Sequence, residues 1–130
     1  MVIDTSALIA VIRGERRAAD IADVINNTPV IRISAVNAYE ARIVMRGRYG
    51  DSGIRELEKF LVDVEIAVAA FDADQAFLAY RAYEKYGKGM GHPAQLNMGD
   101  CAAYALAKSM DLPLLYVGED FAKTDVTSAL

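Results

Sequence analysis

The feature that most constrains the fold is the alternation of short β-branched segments with longer helical segments along the chain. Val2-Ile3 is the first short segment, and Asp4-Thr5-Ser6 follows it with residue types that favour helix N-termini. Strands separated by helices are joined by right-handed crossovers, which make the strands parallel and place helices on both faces of the sheet. We therefore expect a three-layer α/β domain with a central parallel sheet of four to five strands.

The predicted elements follow one another without an internal repeat or a linker. Strands are predicted at Val2-Ile3, Val30–Ile33, Val64–Val68, Pro113–Val117 and Val126–Leu130. Helices are predicted at Ala7–Ile12, Glu15–Asn26, Ser34 to about Tyr49, a segment containing Ile54–Leu61, Asp72–Tyr86 and Asn97–Met110, with a turn at Gly50–Gly53. The third strand alternates apolar and polar residues, which is typical of an edge strand. A chain of 130 residues forms one core, so we expect a single domain over residues 1–130.

Composition excludes several classes of protein. One cysteine rules out an internal disulfide framework and a multi-cysteine zinc site, and one histidine rules out histidine-rich metal sites. No apolar run reaches the ~18 residues that span a bilayer, and no signal segment precedes the first strand, so a cytoplasmic protein without membrane contact is expected. The net charge of −4 leaves any nucleic-acid contact to a local group of basic side chains.

Acidic side chains lie where ligands bind in sheets of this kind, outside the carboxyl ends of the strands. Asp4 follows the first predicted strand, Asp120 follows the fourth, and Asp100 begins a helix at the same rim. Each has a structural alternative. Asp4 and Asp120 have the residue type and position of helix caps or turn residues, and Asp100 forms a capping-box spacing with Asn97. Asp72 has the same capping spacing after the third strand, and we assign it to capping alone.

Glu40 is predicted to share one helical face with apolar residues. Counting from Ser34 as the N-cap, Val36 and Val44 lie on its side of the helix, together with Ile43 and Gly47. A carboxylate on an apolar face is unfavourable unless a partner neutralises it. The alternatives are a buried ion pair, or a helix rotated so that Glu40 reaches solvent.

Four carboxylates that converge on one rim repel each other, and such a cluster either raises its own pKa values or holds a hard cation. Oxygen ligands alone favour Mg²⁺, with Mn²⁺ as the second choice. A cation of this kind makes a water easier to deprotonate for attack on a phosphodiester and stabilises the leaving oxygen. Asp4, Glu40, Asp100 and Asp120 are therefore the candidate catalytic residues.

These segments resemble a known family. The opening MVIDTSALIAVIRGE, the segment SAVNAYEARIVM and the segment LNMGDCAAYALAKSMDLPLLYVGEDFAKTDV resemble the acidic motifs of PIN domains, specifically of VapC-type ribonuclease toxins from bacterial toxin–antitoxin pairs. The similarity extends over essentially the whole chain, and all four acids are present. Val117 departs from the polar or basic residue that many relatives have before the glycine.

The resemblance implies an Mg²⁺-dependent endoribonuclease that forms a homodimer and is inhibited by a cognate VapB-type antitoxin. By the same resemblance Asp4 and Asp100 would be the primary metal ligands, Glu40 would hold the ion or its water, and Asp120 would be a looser ligand. Supporting roles would fall to Ser6 (or Thr5), Thr124 and Asp125. The candidate basic side chains for RNA are the following: Arg13, Arg42, Arg46 and Lys88.

Two other functions remain open at this point. A response-regulator-like phosphoacceptor is also a small parallel α/β domain with rim acids, although Asp4 has no acidic neighbour and Lys123 follows Asp120 too closely. A PIN-like scaffold that binds RNA without cutting it is the other possibility, and a cleavage assay with and without EDTA separates it from a nuclease. A haloacid-dehalogenase-type phosphatase is excluded, because Ser6 stands where its second aspartate is needed.

Overall fold

The sheet of this protein has four short parallel strands in the computed structural model, which describes residues 1–130. They are β1 (Val2–Ile3), β2 (Arg32–Ser34), β3 (Ala67–Ala69) and β4 (Leu114–Leu115). Their order is β3-β2-β1-β4, so β1 is central and β3 is an edge strand, as its alternating sequence predicts. A fifth strand at residues 126–130 was expected but does not form. That segment makes one bridge, from Leu114 to Ser128, and the Ser128 hydroxyl accepts from the amide of Leu130.

Five helices connect and cover the strands. They are α1 (Thr5–Arg13), α2 (Ala18–Asn26), α3 (Ala35–Asp63), α4 (Ala73–Tyr86) and α5 (Met98–Ser109), and a 3₁₀ turn follows β4 at Phe121–Lys123. Ser34, Asp72 and Asn97 cap their helices as predicted. The expected start of α2 at Glu15 is wrong, because Gly14 and Arg17 both adopt left-handed backbone conformations that interrupt the helix. None of the helices combines the length and apolar character needed to cross a membrane.

A break at Gly50 divides α3 into two halves. Gly50 has φ 63° and ψ −149°, whereas the residues on both sides are helical. The four-residue turn predicted at Gly50–Gly53 is therefore reduced to one residue. Gly53 lies so close to the first half that a β-carbon there would be 2.7 Å from the carbonyl oxygen of Met45. Beyond the break, the second half of α3 lies beside the end of α1, where Glu56 pairs with Arg13.

Neighbouring residues of each strand point to opposite faces of the sheet, and each face carries its own core. Ile3 and Leu115 pack with buried residues of α1, α2 and α3, whereas Val2 and Leu114 pack with α4 and α5. This arrangement confirms the three-layer α/β fold with a parallel sheet. It also brings the N-termini of α1, α3 and α5 to the rim at which β1, β2 and β4 end.

Candidate active site

A cavity of about 330 Å³ lies at the carboxyl ends of the central strands. Three of the four predicted acids line it, namely Asp4, Glu40 and Asp100. The sequence analysis did not identify Glu15 and Arg48, which also line this cavity. A larger cavity of about 590 Å³ between α4 and α5 contains none of the predicted acids. The convergence of acidic side chains therefore marks the smaller cavity as the candidate active site.

Asp4 is both the N-cap of α1 and a buried member of the site. Its Oδ2 accepts hydrogen bonds from the Ser6 amide at 2.9 Å and the Ser6 hydroxyl at 2.6 Å. Its Oδ1 is buried without a hydrogen-bond partner. The pKa of Asp4 is raised to about 6, mainly by burial; the Glu40 charge contributes to the increase, and the hydrogen bonds from Ser6 oppose it. One carboxylate oxygen thus caps the helix, and the other is left free for a ligand.

Ser6 is the hydroxyl that orients Asp4. Its Oγ donates to Asp4 and also accepts from the backbone amide of Val117, at 3.0 Å, just beyond β4. Thr5, the alternative hydroxyl, instead donates from Oγ1 to the carbonyl oxygen of Asn37 at 3.3 Å. Ser6 therefore connects the first acid to the strand next to it in the sheet.

Glu40 is only half-buried, so its predicted position on an apolar core face is wrong. The face of α3 that packs in the core is formed instead by other small or flexible residues, including Ala38, Ala41 and Met45. Ile43, expected beside Glu40 on the core face, is 54% exposed. The Glu40 carboxylate lies directly over Gly99, where a β-carbon would be 2.5 Å from Oε2. Gly99 is therefore a site residue that sequence analysis missed, since nothing local in α5 indicates this contact.

Asp100 forms the capping box that its spacing with Asn97 predicts. Its Oδ2 accepts from the Asn97 amide at 3.0 Å, and the Asn97 side chain accepts from the Asp100 amide at 2.8 Å. The pKa of Asp100 is raised to about 7, mainly by burial and in smaller part by the charges of Asp4, Asp120 and Glu40. Asp100 is therefore a helix cap and also belongs to a group of acids that repel one another.

The buried side chain of Asn37 connects the elements that carry the three acids. Its Nδ2 donates to the carbonyl oxygen of Gly99 at 3.0 Å and lies 3.4 Å from Thr5 Oγ1. Asn37 on α3 thus contacts α1 beside Asp4 and α5 beside Asp100. Sequence analysis missed it because its partners are 32 and 62 residues away along the chain.

Asp120 and its neighbours lie outside the cavity wall. Asp120 is exposed just before the 3₁₀ turn, and it reaches the site only through its charge on Asp100. Thr124 donates to the carbonyl oxygen of Phe121 within that turn. Asp125 accepts from the Tyr104 hydroxyl at 2.5 Å and from Lys108 at 3.2 Å, and the hydrogen bond from Tyr104 lowers its pKa. The structure therefore does not support Asp125 as an orienting neighbour of the acids.

The basic side chains proposed for RNA do not line the cavity. Arg13 pairs with Glu56, Arg42 pairs through two nitrogens with Glu58, and Arg46 pairs with Asp51. All three partners belong to the second half of α3. Lys88 lies in the exposed loop after α4. The basic residue in the cavity wall is Arg48, which sequence analysis did not select.

The donor set of the cavity fits an oxygen-preferring cation. No three His, Cys, Asp or Glu side chains have the arrangement of a formed metal site, since Asp4 and Asp100 each direct an oxygen to a helix cap. The buried Oδ1 of Asp4 has no partner, however, and an unsatisfied buried carboxylate oxygen is unfavourable. A hard cation such as Mg²⁺ would satisfy it and reduce the repulsion among the acids.

Neutralising one acid is expected to stabilise the protein when no metal is bound. The folded-state pKa of Asp100, about 7, exceeds its ordinary 3.8, so the folded protein binds that proton more tightly than the unfolded chain does. The stability it contributes is present at low pH and is lost as pH rises through about 7. In EDTA we expect Asp100→Asn to melt above the wild type near pH 8, with a smaller difference near pH 5.

The matched control for these thermal melts is Asp72→Asn, which alters a capping aspartate that lies away from the cavity. Loss of its charge near a helix N-terminus is expected to lower the free energy of unfolding by about 1 kcal/mol at most. The loss should not vary with pH in the way expected for Asp100→Asn. Mg²⁺ should raise the melting temperature of the wild type more than that of Asp100→Asn, because a ligand stabilises the state that binds it. If Asp100→Asn melts below the wild type in EDTA with an equal Mg²⁺ shift, Asp100 is only a cap.

Comparisons with known proteins show the family and the fold of this chain. The family model described as PIN domain matches residues 1–126. The ribonuclease VapC of Mycolicibacterium smegmatis is 46% identical over 128 residues, which cover 98% of this chain and 98% of that protein. VapC20 of Mycobacterium tuberculosis, a toxin that cleaves the sarcin-ricin loop, has TM-score 0.79 at 15% identity over 97% of this chain and 95% of that chain. A toxin–antitoxin complex from Klebsiella pneumoniae gives TM-score 0.71 at 19% identity, over 99% and 97% of the two chains. At these identities the two solved structures show a common fold alone.

Proposed function

Because the chain belongs to the PIN-domain family, in its VapC branch, we propose that it is an endoribonuclease toxin that hydrolyses RNA phosphodiester bonds with the help of Mg²⁺. The observation that carries this proposal is the buried carboxylate of Asp4, which has one oxygen without a hydrogen-bond partner and lines a cavity together with Glu40 and Asp100. A relative that is 46% identical over nearly the full chain bears the name ribonuclease, which supports RNA as the substrate.

Each acid has a proposed role that the resemblance to the PIN family implies. Asp4 and Asp100 would hold the ion, Glu40 would hold the ion or its water, and exposed Asp120 would act through water or at a second ion. When bound, Mg²⁺ or Mn²⁺ would offset the phosphate charge and acidify the attacking water. Ser6 holds the Asp4 carboxylate by two hydrogen bonds, and Gly99 leaves space for the Glu40 carboxylate. These contacts position the carboxylate oxygens of Asp4 and Glu40 before the substrate binds.

A VapB-type antitoxin is the proposed protein partner. The solved structures of similar fold include a toxin–antitoxin complex, which supports this class of partner. In the absence of metal the cavity is negative, since four carboxylates line it beside one arginine. An antitoxin arginine placed among these acids would substitute for the cation through paired hydrogen bonds. We further propose a cytoplasmic location, which suits the single, unpaired cysteine of the chain.

A homodimer is proposed from an exposed apolar surface. An all-apolar cavity of about 400 Å³ lies between α3, α4 and the start of α5. Tyr80 and Met98 line it and are 58% and 80% exposed. Tyr39, Ile43 and Phe77, on the same helices, are also more than half exposed. Apolar exposure of this kind is typical of an interface, and a second copy of this chain would bury it.

The test is cleavage of RNA by the purified protein, with 5′-end sequencing of the products to identify the target. We expect cleavage with Mg²⁺ and with Mn²⁺, and none in EDTA, because the acids cannot bind a phosphate without a cation between them. RNA that binds in Mg²⁺ but is never cut would indicate the non-cleaving scaffold instead. Labelling by a phosphodonor would indicate a phosphoacceptor, a function that the family disfavours and that Lys123, which donates to the carbonyl oxygen of Pro93, does not support.

A further inference from the structure

We infer that Arg48 forms a phosphate subsite beside the acids and binds the RNA phosphodiester that neighbours the one being cleaved. The inference rests on the proposed ribonuclease function and adds to it a residue that positions the substrate. Four acids line the cavity, and Arg48 is the one basic side chain among its lining residues. An RNA strand that reaches these acids carries its own charge into a negative cavity. A positively charged side chain in the cavity wall would therefore bind the next phosphate of the strand.

The helix geometry directs Arg48 toward the acids. Glu40, Val44 and Arg48 are spaced four residues apart on α3, and all three line the cavity. Arg48 is two turns beyond Glu40, which is about 12 Å along the helix axis. Side chains of a helix lean toward its N-terminus, so the long arginine extends back in the direction of Glu40. A phosphate held between them is adjacent to the reacting one.

Glu15 holds Arg48 in the cavity wall but binds it weakly. The Arg48 Nη1 and Glu15 Oε1 atoms are 3.9 Å apart, and the two side chains are 58% and 44% exposed. Ion pairs with this exposure contribute little to stability, so Arg48 can exchange partners. A phosphodiester presents two oxygens to the planar guanidinium and can accept two parallel hydrogen bonds from it. Phosphate is thus the better partner for Arg48 when RNA is present.

Two other arginines of α3, Arg42 and Arg46, have closer acidic partners than Arg48 and do not line the cavity. Arg42 binds Glu58 through two nitrogens, at 2.7 and 3.2 Å, and also donates to the carbonyl oxygen of Ala38. Arg46 pairs with Asp51. These contacts direct both side chains to acids of the second half of α3, away from the cavity. Arg48, by contrast, has a weak partner and a position in the cavity wall, which is the combination that a substrate-binding arginine requires.

The test compares Arg48→Gln with Arg55→Gln, which removes an exposed arginine of the same helix that does not line the cavity. Cleavage kinetics with Mg²⁺ should show a KM about tenfold or more higher for Arg48→Gln, with kcat within about twofold, since a charge-assisted contact to uncut substrate is lost. The KM of Arg48→Lys should lie between those of the wild type and Arg48→Gln, because lysine keeps the charge but cannot form two parallel hydrogen bonds. Arg55→Gln should match the wild type.

Binding is measured separately in cleavage-deficient Asp4→Asn protein with Mg²⁺, by anisotropy of a labelled single-stranded RNA of about twelve nucleotides. Adding Arg48→Gln to this protein should raise the Kd for RNA by the same factor by which Arg48→Gln alone raises the KM. It should also reduce the slope of log affinity against log salt by about 0.7, the value for one phosphate contact to a single strand. Equal melting temperatures of the compared variants would show that folding is unaffected.

Two results would overturn the inference, and they are distinguishable from failure of the proposed function. If the wild type cuts RNA while Arg48→Gln and Arg55→Gln have the same KM, Kd and salt slope, Arg48 does not bind phosphate. If Arg48→Gln lowers kcat alone, it affects the acids and not substrate binding. A wild type that cuts no RNA under any metal condition would remove the ribonuclease proposal, and this subsite with it.

Discussion

Expression of this chain without its antitoxin is expected to arrest growth, and Asp4→Asn is expected to abolish that arrest. Asparagine keeps the shape of Asp4 and an acceptor for the amide of Ser6, so α1 remains capped. The negative charge of the buried carboxylate is lost, and with it the strongest proposed metal ligand. Removal of one group that stabilises transition-state charge typically lowers rates by about 10²–10³-fold. The measurement is growth after induction, with the protein level checked by immunoblot.

Asp72→Asn is the control for the growth experiment. Asp72 also caps a helix through its side chain, by accepting from the amide of Gln75, but it does not line the cavity. It should therefore leave growth arrest intact. Asp100→Asn should behave like Asp4→Asn, because both acids line the cavity. If Asp4→Asn, at wild-type protein level, still arrests growth, the assignment of Asp4 to the site is wrong.

The second large effect is expected from Gly99→Ala, which should remove most activity without loss of stability. A β-carbon at residue 99 would lie 2.5–2.9 Å from the atoms of the Glu40 carboxylate. The end of the Glu40 side chain is flexible, so the carboxylate moves away while the helices stay in place. Alanine also favours the helical conformation over glycine by about 1 kcal/mol. We expect cleavage to fall by about 10–100-fold, as for other groups that orient metal ligands.

Gly47→Ala provides a matched helical substitution. Gly47 lies on α3, and apart from its chain neighbours and the backbone of its own helix no atom lies within 4 Å of the position that a β-carbon would occupy. Its replacement should raise the melting temperature slightly and leave cleavage unchanged. Both variants are compared by thermal melts and by initial rates with Mg²⁺. A Gly99→Ala protein that keeps full activity would show that Glu40 does not need its observed position, whereas one that fails to fold would show that the helices, not Glu40, absorb the clash.

Local features of this chain are predictable from sequence because they depend on neighbouring residues. Asp72, Ser34 and Asn97 cap helices through bonds to amides two or three residues away, so their spacing is sufficient to identify them. The parallel order of strands and helices follows from the same kind of local pattern. Asp4 and Asp100 were placed at the rim for this reason, and their positions also indicated helix caps. Spacing could not show that each residue both caps a helix and lines the cavity.

Features that depend on packing between distant segments could not be predicted. The orientation of Glu40 depends on which face of α3 carries side chains small enough to pack closely against α1 and the sheet. Ala38 and Ala41 form that face. The contacts of Asn37 with Gly99 and of Arg48 with Glu15 join residues that are far apart in sequence. Likewise, Arg42 and Arg46 are neutralised by acids beyond the Gly50 break, which sequence alone did not reveal.

The central place of β1 in the sheet has a consequence for the synthesis of the chain. The amides of Val2 and Asp4 bond to the carbonyl oxygens of Pro113 and Leu115, and the amide of Val117 bonds to the Ser6 hydroxyl that orients Asp4. The first acid is therefore correctly placed only after the last strand has left the ribosome and docked. Domains fold largely as units during translation, so a nascent chain that lacks β4 has no assembled cavity. Ser6 and Val117 are 111 positions apart, so the chain cannot carry out chemistry at this site until synthesis has covered that distance.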